Sequence, residues 1–212
     1  MSRKDIGECF DGCACGSARR IRRRGIAGPS KLLRDEIAAR VTGKSVLEIG
    51  CGVGGLTFEL LKAGAARATG IDMSPVSIQM AGQLSQEMGL SDRAEFAVGD
   101  GSNHAVEVHD VLVLDKVVCC FPDPQALLSN ALRSHPSVFG MVLPQSTRIG
   151  GVAFNVGRLF INVFMRLRGR QFRVFVHDVD SIERALASAG LTPVVRRRKF
   201  PWLVGVYEGA GG

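Results

Sequence analysis

Short apolar runs alternate along the chain with stretches of helical period. Leu32, Leu33, Ile37, Ala38 and Val41 fall on one helical face, opened by Pro29 and Ser30 and closed by Gly43. Ser45–Ile49 then reads as a buried strand, and Leu56–Lys62 as a helix that Gly64 ends. A strand over Ala68–Ile71 stops at Asp72. A helix follows from Ser74 and Pro75 to Gly89, with Ser as N-cap and Pro as first helical residue. Ala94–Val98 and Val111–Leu114 are the next strands, ending before Asp100 and at Asp115. Asp123 and Pro124 start a helix through about Arg133, and Val138–Leu143 is a fifth strand. Short apolar strands alternating with helices predict a parallel sheet covered on both faces.

The rhythm changes after Pro144. Residues 151–168 predict an inserted helix with Val152, Val156, Leu159, Phe160, Val163, Phe164 and Leu167 on one side. Phe172–Val176 alternates and reads as extended. Asp178 or Asp180 caps a helix through Ala189 that Gly190 ends. Thr192–Val195 and Leu203–Tyr207 then close the chain as two strands able to pair as an antiparallel hairpin. Residues 1–28 show little apolar periodicity. They read as a Cys- and Arg-rich arm, in which Arg19–Arg24 is one face of a short helix or a loose segment.

The 212 residues suffice for one core without a metal or disulfide staple, and 46% hydrophobic with 22% charged residues argues against disorder. No apolar stretch is long enough for a membrane span, and no signal-peptide pattern opens the chain. The expectation is a cytoplasmic protein with its six cysteines reduced. The net charge of +7 is unevenly spread: residues 1–44 carry +6, 45–147 carry −6, 148–199 carry +8 and 200–212 carry −1. An acidic centre suits a cationic ligand, and the basic flanks suit an anionic one.

Candidate chemistry centres on the segment from Val46 to Gly55, which leaves a strand through Glu48, Gly50, Cys51, Gly52 and Gly54 and opens a helix. Glycines at that turn let a ligand approach the backbone at the carboxyl end of the sheet. Gly50, Gly52 and Gly55 also satisfy a dinucleotide pattern. Glu48 weighs against it, because a pyrophosphate would not favour a carboxylate there, whereas an ammonium group would. Asp72 stands at the end of the second strand, where an acid commonly accepts ribose hydroxyls. Asp100 follows the third strand, in position to accept from an adenine amino group, and Asp115 follows the fourth. Four acids at four successive strand ends point to one edge of the sheet.

The E-x-G-x-G-x-G turn, the Gly70-Ile71-Asp72-Met73-Ser74-Pro75 segment and the Gly99-Asp100 pair resemble the class I S-adenosylmethionine-dependent methyltransferases over about residues 30–145. The resemblance implies a Rossmann-like three-layer α/β/α sandwich with a seven-stranded, mostly parallel sheet and an antiparallel last strand. It implies S-adenosyl-L-methionine as cofactor. Glu48 and the glycines Gly50, Gly52 and Gly54 would contact its methionine portion, Asp72 the ribose and Asp100 the adenine, with Cys51, Met73 and Gly101 also at the cofactor. Asp115, Lys116 and Val117 match the segment lining the methyl-transfer site. The domain would occupy residues 29–212.

The acceptor is expected to meet the insertion at about 147–177. Arg148 and Arg173 are candidates for an anionic group, and Phe160 and Phe164 for an apolar one. A solvated basic helix face and an interfacial helix on an anionic membrane are the competing readings of this segment. His177 is a candidate base and substrate contact, and Asp115 the second candidate catalytic group. His109 is expected at the surface, and His104 near the adenine side. No metal is expected: Cys9, Cys13 and Cys15 miss the iron–sulfur pattern C-x3-C-x2-C by one residue, and zinc would need a fourth ligand, which Cys119-Cys120 could supply if the arm folds over the site. The preferred function is transfer of a methyl group to a small anionic or amphipathic acceptor. Size and the apolar insertion are similar to the magnesium-protoporphyrin O-methyltransferases. A nucleic-acid methyltransferase, a non-catalytic S-adenosylmethionine-binding module and an NAD-dependent oxidoreductase are the alternatives, and the oligomeric state is left open.

Overall fold

The computed structural model describes residues 3–144, 159 and 175–209, with side chains from residue 11 onward. Apart from Leu159, the expected insertion helix over 151–168 lies outside the described residues, as do Arg148, Phe160, Phe164 and Arg173.

The described elements run α1 (Arg3–Arg24), α2 (Gly28–Ile37), β1 (Ser45–Ile49), α3 (Gly55–Lys62), β2 (Arg67–Asp72), α4 (Pro75–Glu87), β3 (Ala94–Val98) and β4 (Val111–Asp115). They continue with α5 (Pro124–Ala131), β5 (Val138–Pro144), α6 (Val179–Ser188), β6 (Leu191–Lys199) and β7 (Trp202–Gly209). The seven strands form one sheet in the order β3-β2-β1-β4-β5-β7-β6. The first five are parallel, and β7 runs antiparallel between β5 and β6. The chain therefore reverses its lateral direction after β3 and restarts beside β1, the switch point at which such sheets bind ligands.

Successive residues of β1 feed opposite layers. Val46 joins the side built by α1 to α4, while Leu47 and Ile49 join the side built by α5 and α6. Helix starts follow the predicted caps. The Ser74 hydroxyl accepts from Ser77 N, and the Asp123 and Asp178 carboxylates accept from the amides that open α5 and α6. Gly140 lets α2 lie directly on β5, because a Cβ there would stand 2.9 Å from Ile37 Cδ1.

Four expectations need correction. The N-terminal segment is one helix of 22 residues, not a short or loose element. Its contacting stripe is Ala14, Ala18 and Ile21, and alanines one turn apart carry too little apolar signal to stand out between charges. β6 extends to Lys199, four residues past its apolar end, because it is the sheet edge and its outer positions can carry arginine. His109 is buried, not exposed: Nδ1 meets the Glu107 carbonyl at 3.0 Å and Nε2 meets Thr69 Oγ1 at 3.1 Å. Phe175 and Val176, in the stretch expected to be extended, belong to no strand.

The small seam of α1 has a testable consequence. Ala18 is 1% exposed. Ala18→Leu should overpack it and cost about 1–3 kcal/mol in urea unfolding. An unchanged midpoint would show that α1 is not part of the cooperative fold.

Candidate cofactor and methyl-transfer site

The carboxyl ends of β1, β2 and β4 open into a cavity of about 400 Å³, within the range for a small-molecule ligand. Its floor is the glycine turn after β1. Gly50 has φ +75 and Gly52 φ +54, so the turn needs residues without a Cβ penalty. A Cβ on Gly50 would lie 2.5 Å from Val117 Cγ2, so β1 and β4 can approach here only through glycine.

Glu48, Gly50, Cys51, Gly52, Asp72, Met73, Gly101, Asp115, Lys116 and Val117, all expected at the cofactor, line this cavity. Gly54 and Asp100 are not among the lining residues. Gly54, at φ +79, starts α3 and packs against Phe58 and Phe96. Asp100 lies between the lining residues Gly99 and Gly101 and accepts from the amide and hydroxyl of Ser102. The His104 ring rests over Gly99, and its carbonyl is held by Asn130. The N-terminal arm, which the sequence also allows as a partial cover over the cofactor, reaches this cavity as well. Ser17, Arg20 and Ile21 of α1, with Gly25 to Ala27 and Ser30, close the cavity from above. The available signal was the Ala14-Ala18-Ile21 spacing.

Three carboxyls face this space. The Glu48 side chain is buried, and Oε2 accepts from Thr57 Oγ1 at 2.5 Å. Burial pushes its carboxyl up to about 8 against the Thr57 hydrogen bond, and the nearby Asp115 charge pushes the same way. Burial also raises Asp72, although Ser74 N and Gly52 N each donate to it at 2.8 Å. Burial raises Asp115 as well, opposed by Lys116, whose Nζ lies 3.6 Å from Oδ2. Asp11 of α1 accepts from Ser74 Oγ at 2.5 Å and ties the roof to the Asp72 turn. The Cys51 thiol is pushed well above its ordinary value by burial, consistent with a small filler.

His177 is not part of the cavity wall. Its Nε2 lies 2.9 Å from the Phe121 carbonyl, next to the lining residues Cys120 and Phe121. A carbonyl only accepts, so Nε2 carries the hydrogen in this contact. Its ring stacks on Phe175. Among the described residues, no group of three or more His, Cys, Asp or Glu could hold a metal.

Residues 41–143 match the family described as a methyltransferase domain. The chain carries a methyltransferase domain of Rossmann-like fold. Over 73 residues it is 41% identical to a ribosomal protein L11 methyltransferase of Escherichia coli (strain SMS-3-5), covering 34% of this chain and a quarter of that protein. In fold, the chain is similar to the magnesium protoporphyrin IX methyltransferase from Synechocystis PCC 6803 with bound S-adenosylhomocysteine. The TM-score is 0.73 at 19% identity, covering 98% of this chain and 99% of that one. It is equally similar, at TM-score 0.73, 14% identity and coverage of 100% and 98%, to the [4+2]-cyclase SpnF. Likeness at these identities describes the fold and leaves the acceptor open.

The donor set fits S-adenosylmethionine. Its sulfonium and ammonium charges match the three carboxyls of the cavity. An ammonium group prefers Glu48 ionised, whereas the free site holds it protonated near neutral pH. Binding S-adenosylhomocysteine at pH 7 should therefore release up to about one proton, and affinity should rise with pH until about 8. Calorimetry in buffers of different ionisation enthalpy measures this. Zero proton release attributable to Glu48 would remove it from the ammonium contact. No helix among the described residues is long and apolar enough to cross a membrane.

Proposed function

We propose that this methyltransferase transfers the methyl group of S-adenosylmethionine to an oxygen or nitrogen of a small anionic or amphipathic acceptor. The observation that carries this reading is the presence of two kinds of lining group in one cavity. The carboxyls Glu48, Asp72 and Asp115 form one set; Arg20 and Lys116, the latter 3.6 Å from Asp115 Oδ2, form a second with apolar Ile21, Val117 and Phe121. An acceptor with an apolar body and a carboxylate or phosphate suits the second set.

The cofactor supplies an electrophilic methyl group on a positively charged sulfur. The chain's contribution is alignment and exclusion of water. Glu48 and Asp72 bind and orient, and Val117 sets the wall at the end of β4. The roof of α1 keeps solvent from the strand ends. His177 is the candidate to receive an acceptor proton, at the exit of the segment expected to cover the acceptor.

A specific observation also favours a macromolecular acceptor. Arg196, Arg197, Arg198 and Lys199 are exposed along the edge strand, a surface able to follow phosphates. Incubation with methyl-labelled S-adenosylmethionine and cell extract separates the readings. Label in the small-molecule or lipid fraction supports the proposal. Label in RNA, DNA or protein overturns it and assigns the basic edge to substrate docking.

A further inference from the structure

The turn that leaves β4 is unusual in both backbone and chemistry. Lys116 has φ +60, a left-handed conformation rare outside glycine. A single 3-10 turn over Val118–Cys120 follows. The fold brings both thiols onto one acceptor: the Lys116 carbonyl lies 3.3 Å from Cys119 Sγ and 3.6 Å from Cys120 Sγ. Both cysteines are buried, and Cys120 lines the cavity. The carbonyls on either side hold the segment that enters α6: Phe175 N donates to Cys119 O at 2.8 Å, and His177 Nε2 donates to Phe121 O at 2.9 Å. The two thiols thus sit between the cofactor cavity and the chain returning from the insertion.

We propose that Cys119 and Cys120 form a dithiol site in the cavity wall that captures a thiophilic centre of the trivalent arsenical class. Geometry selects this chemistry over two others. A disulfide between adjacent residues must span Cα atoms fixed about 3.8 Å apart, below the usual range of about 4.4–6.8 Å. A bridging atom between the sulfurs lengthens the ring and relieves that restraint. Zinc calls for about four ligands, and among the described residues no third Cys, His, Asp or Glu completes a set. A monosubstituted trivalent arsenical needs two thiols. Its dihydroxide form condenses with them as two As–O bonds break and two As–S bonds form. Each thiol proton leaves with a hydroxide as water, and no electron is transferred. The pair is prepared for this, because a hydrogen bond from Cys120 holds the Cys119 thiol below its ordinary value and favours the thiolate that attacks. Capture draws both sulfurs off the Lys116 carbonyl and so perturbs the turn on which Phe175 and His177 are docked.

The test uses phenylarsine oxide on the full chain carrying C9S, C13S and C15S, which removes the thiols of α1. Intact mass should show one arsenical per chain, bridging two thiols and released by 2,3-dimercaptopropanol. Adding either C119S or C120S should abolish the adduct, since one thiol cannot bridge. Peptide mapping of the wild-type adduct gives the same answer should the multiple variant not fold, and should place the bridge on the Cys119–Cys120 peptide. An adduct that survives either single substitution, a bridge mapped elsewhere, or no adduct on the folded chain overturns the proposal.

Discussion

Glu48→Gln should lower affinity for S-adenosylhomocysteine by a hundredfold or more while leaving the free protein as stable as wild type, or more so, above pH 8. The two effects share one cause. Glu48 is 2% exposed, accepts from Thr57, and has its carboxyl raised to about 8 by burial. A raised carboxyl means that the folded state binds more protons than the unfolded chain between about 4.5 and 8. Stability contributed by the neutral form is present at low pH and is lost as pH rises toward 8. Glutamine keeps the neutral shape and the hydrogen-bonding atoms without ionising, so the free variant escapes that loss. The same change removes the charge that a bound ammonium group requires, and a charged hydrogen-bond partner lost in a buried site costs about 3–5 kcal/mol. Thermal melts across pH 5–9, with and without ligand, separate the effects. A variant that binds as tightly as wild type would show that Glu48 serves only to hold Thr57. A variant destabilised at every pH would show the same structural role.

The strand ends were legible because a parallel sheet writes its chemistry into local sequence. Each apolar run of four or five residues stops at an acid or glycine, and the topology collects those stops at one edge. Glu48, Asp72 and Asp115 therefore reached the cavity from pattern alone. What stayed hidden depended on contacts between distant segments. The α1 stripe is mostly alanine, so only the packed structure shows that Arg20 and Ile21 belong to the roof. Asp11 reads as one acid in a basic arm until Ser74 is brought to it. His109 looked like a loop residue, and its burial depends on Thr69, forty positions away in sequence. The end of β6 was invisible because its pairing with β7 uses backbone groups while its side chains are arginine. The same distinction applies to Gly54 and Gly50. Both sit in one glycine-rich motif, yet Gly54 serves the helix start and Gly50 the cavity.

Gly50→Ala should destabilise the protein by about 2–5 kcal/mol and remove measurable cofactor binding, and Val117→Ala should recover only part of the loss. Two costs add at this residue. The φ of +75 charges any L side chain about 1–2 kcal/mol. The new Cβ would meet Val117 Cγ2 at 2.5 Å and Val117 Cβ at 2.7 Å, an overpacking that costs about 1–3 kcal/mol more. Val117→Ala on its own deletes two methyl groups from a residue 8% exposed, so it carries a smaller cost of its own. In the double variant the clash with Cγ2 is gone while the backbone strain and the contact with Cβ persist. A double-mutant cycle from urea unfolding should therefore show favourable coupling between the substitutions, on the order of 1–2 kcal/mol. Additive effects would mean that the valine yields freely and that strain alone explains the glycine. Full recovery of ligand binding in the double variant would mean that the left-handed turn is dispensable, and that the glycine is required only so that β1 and the turn after β4 can touch.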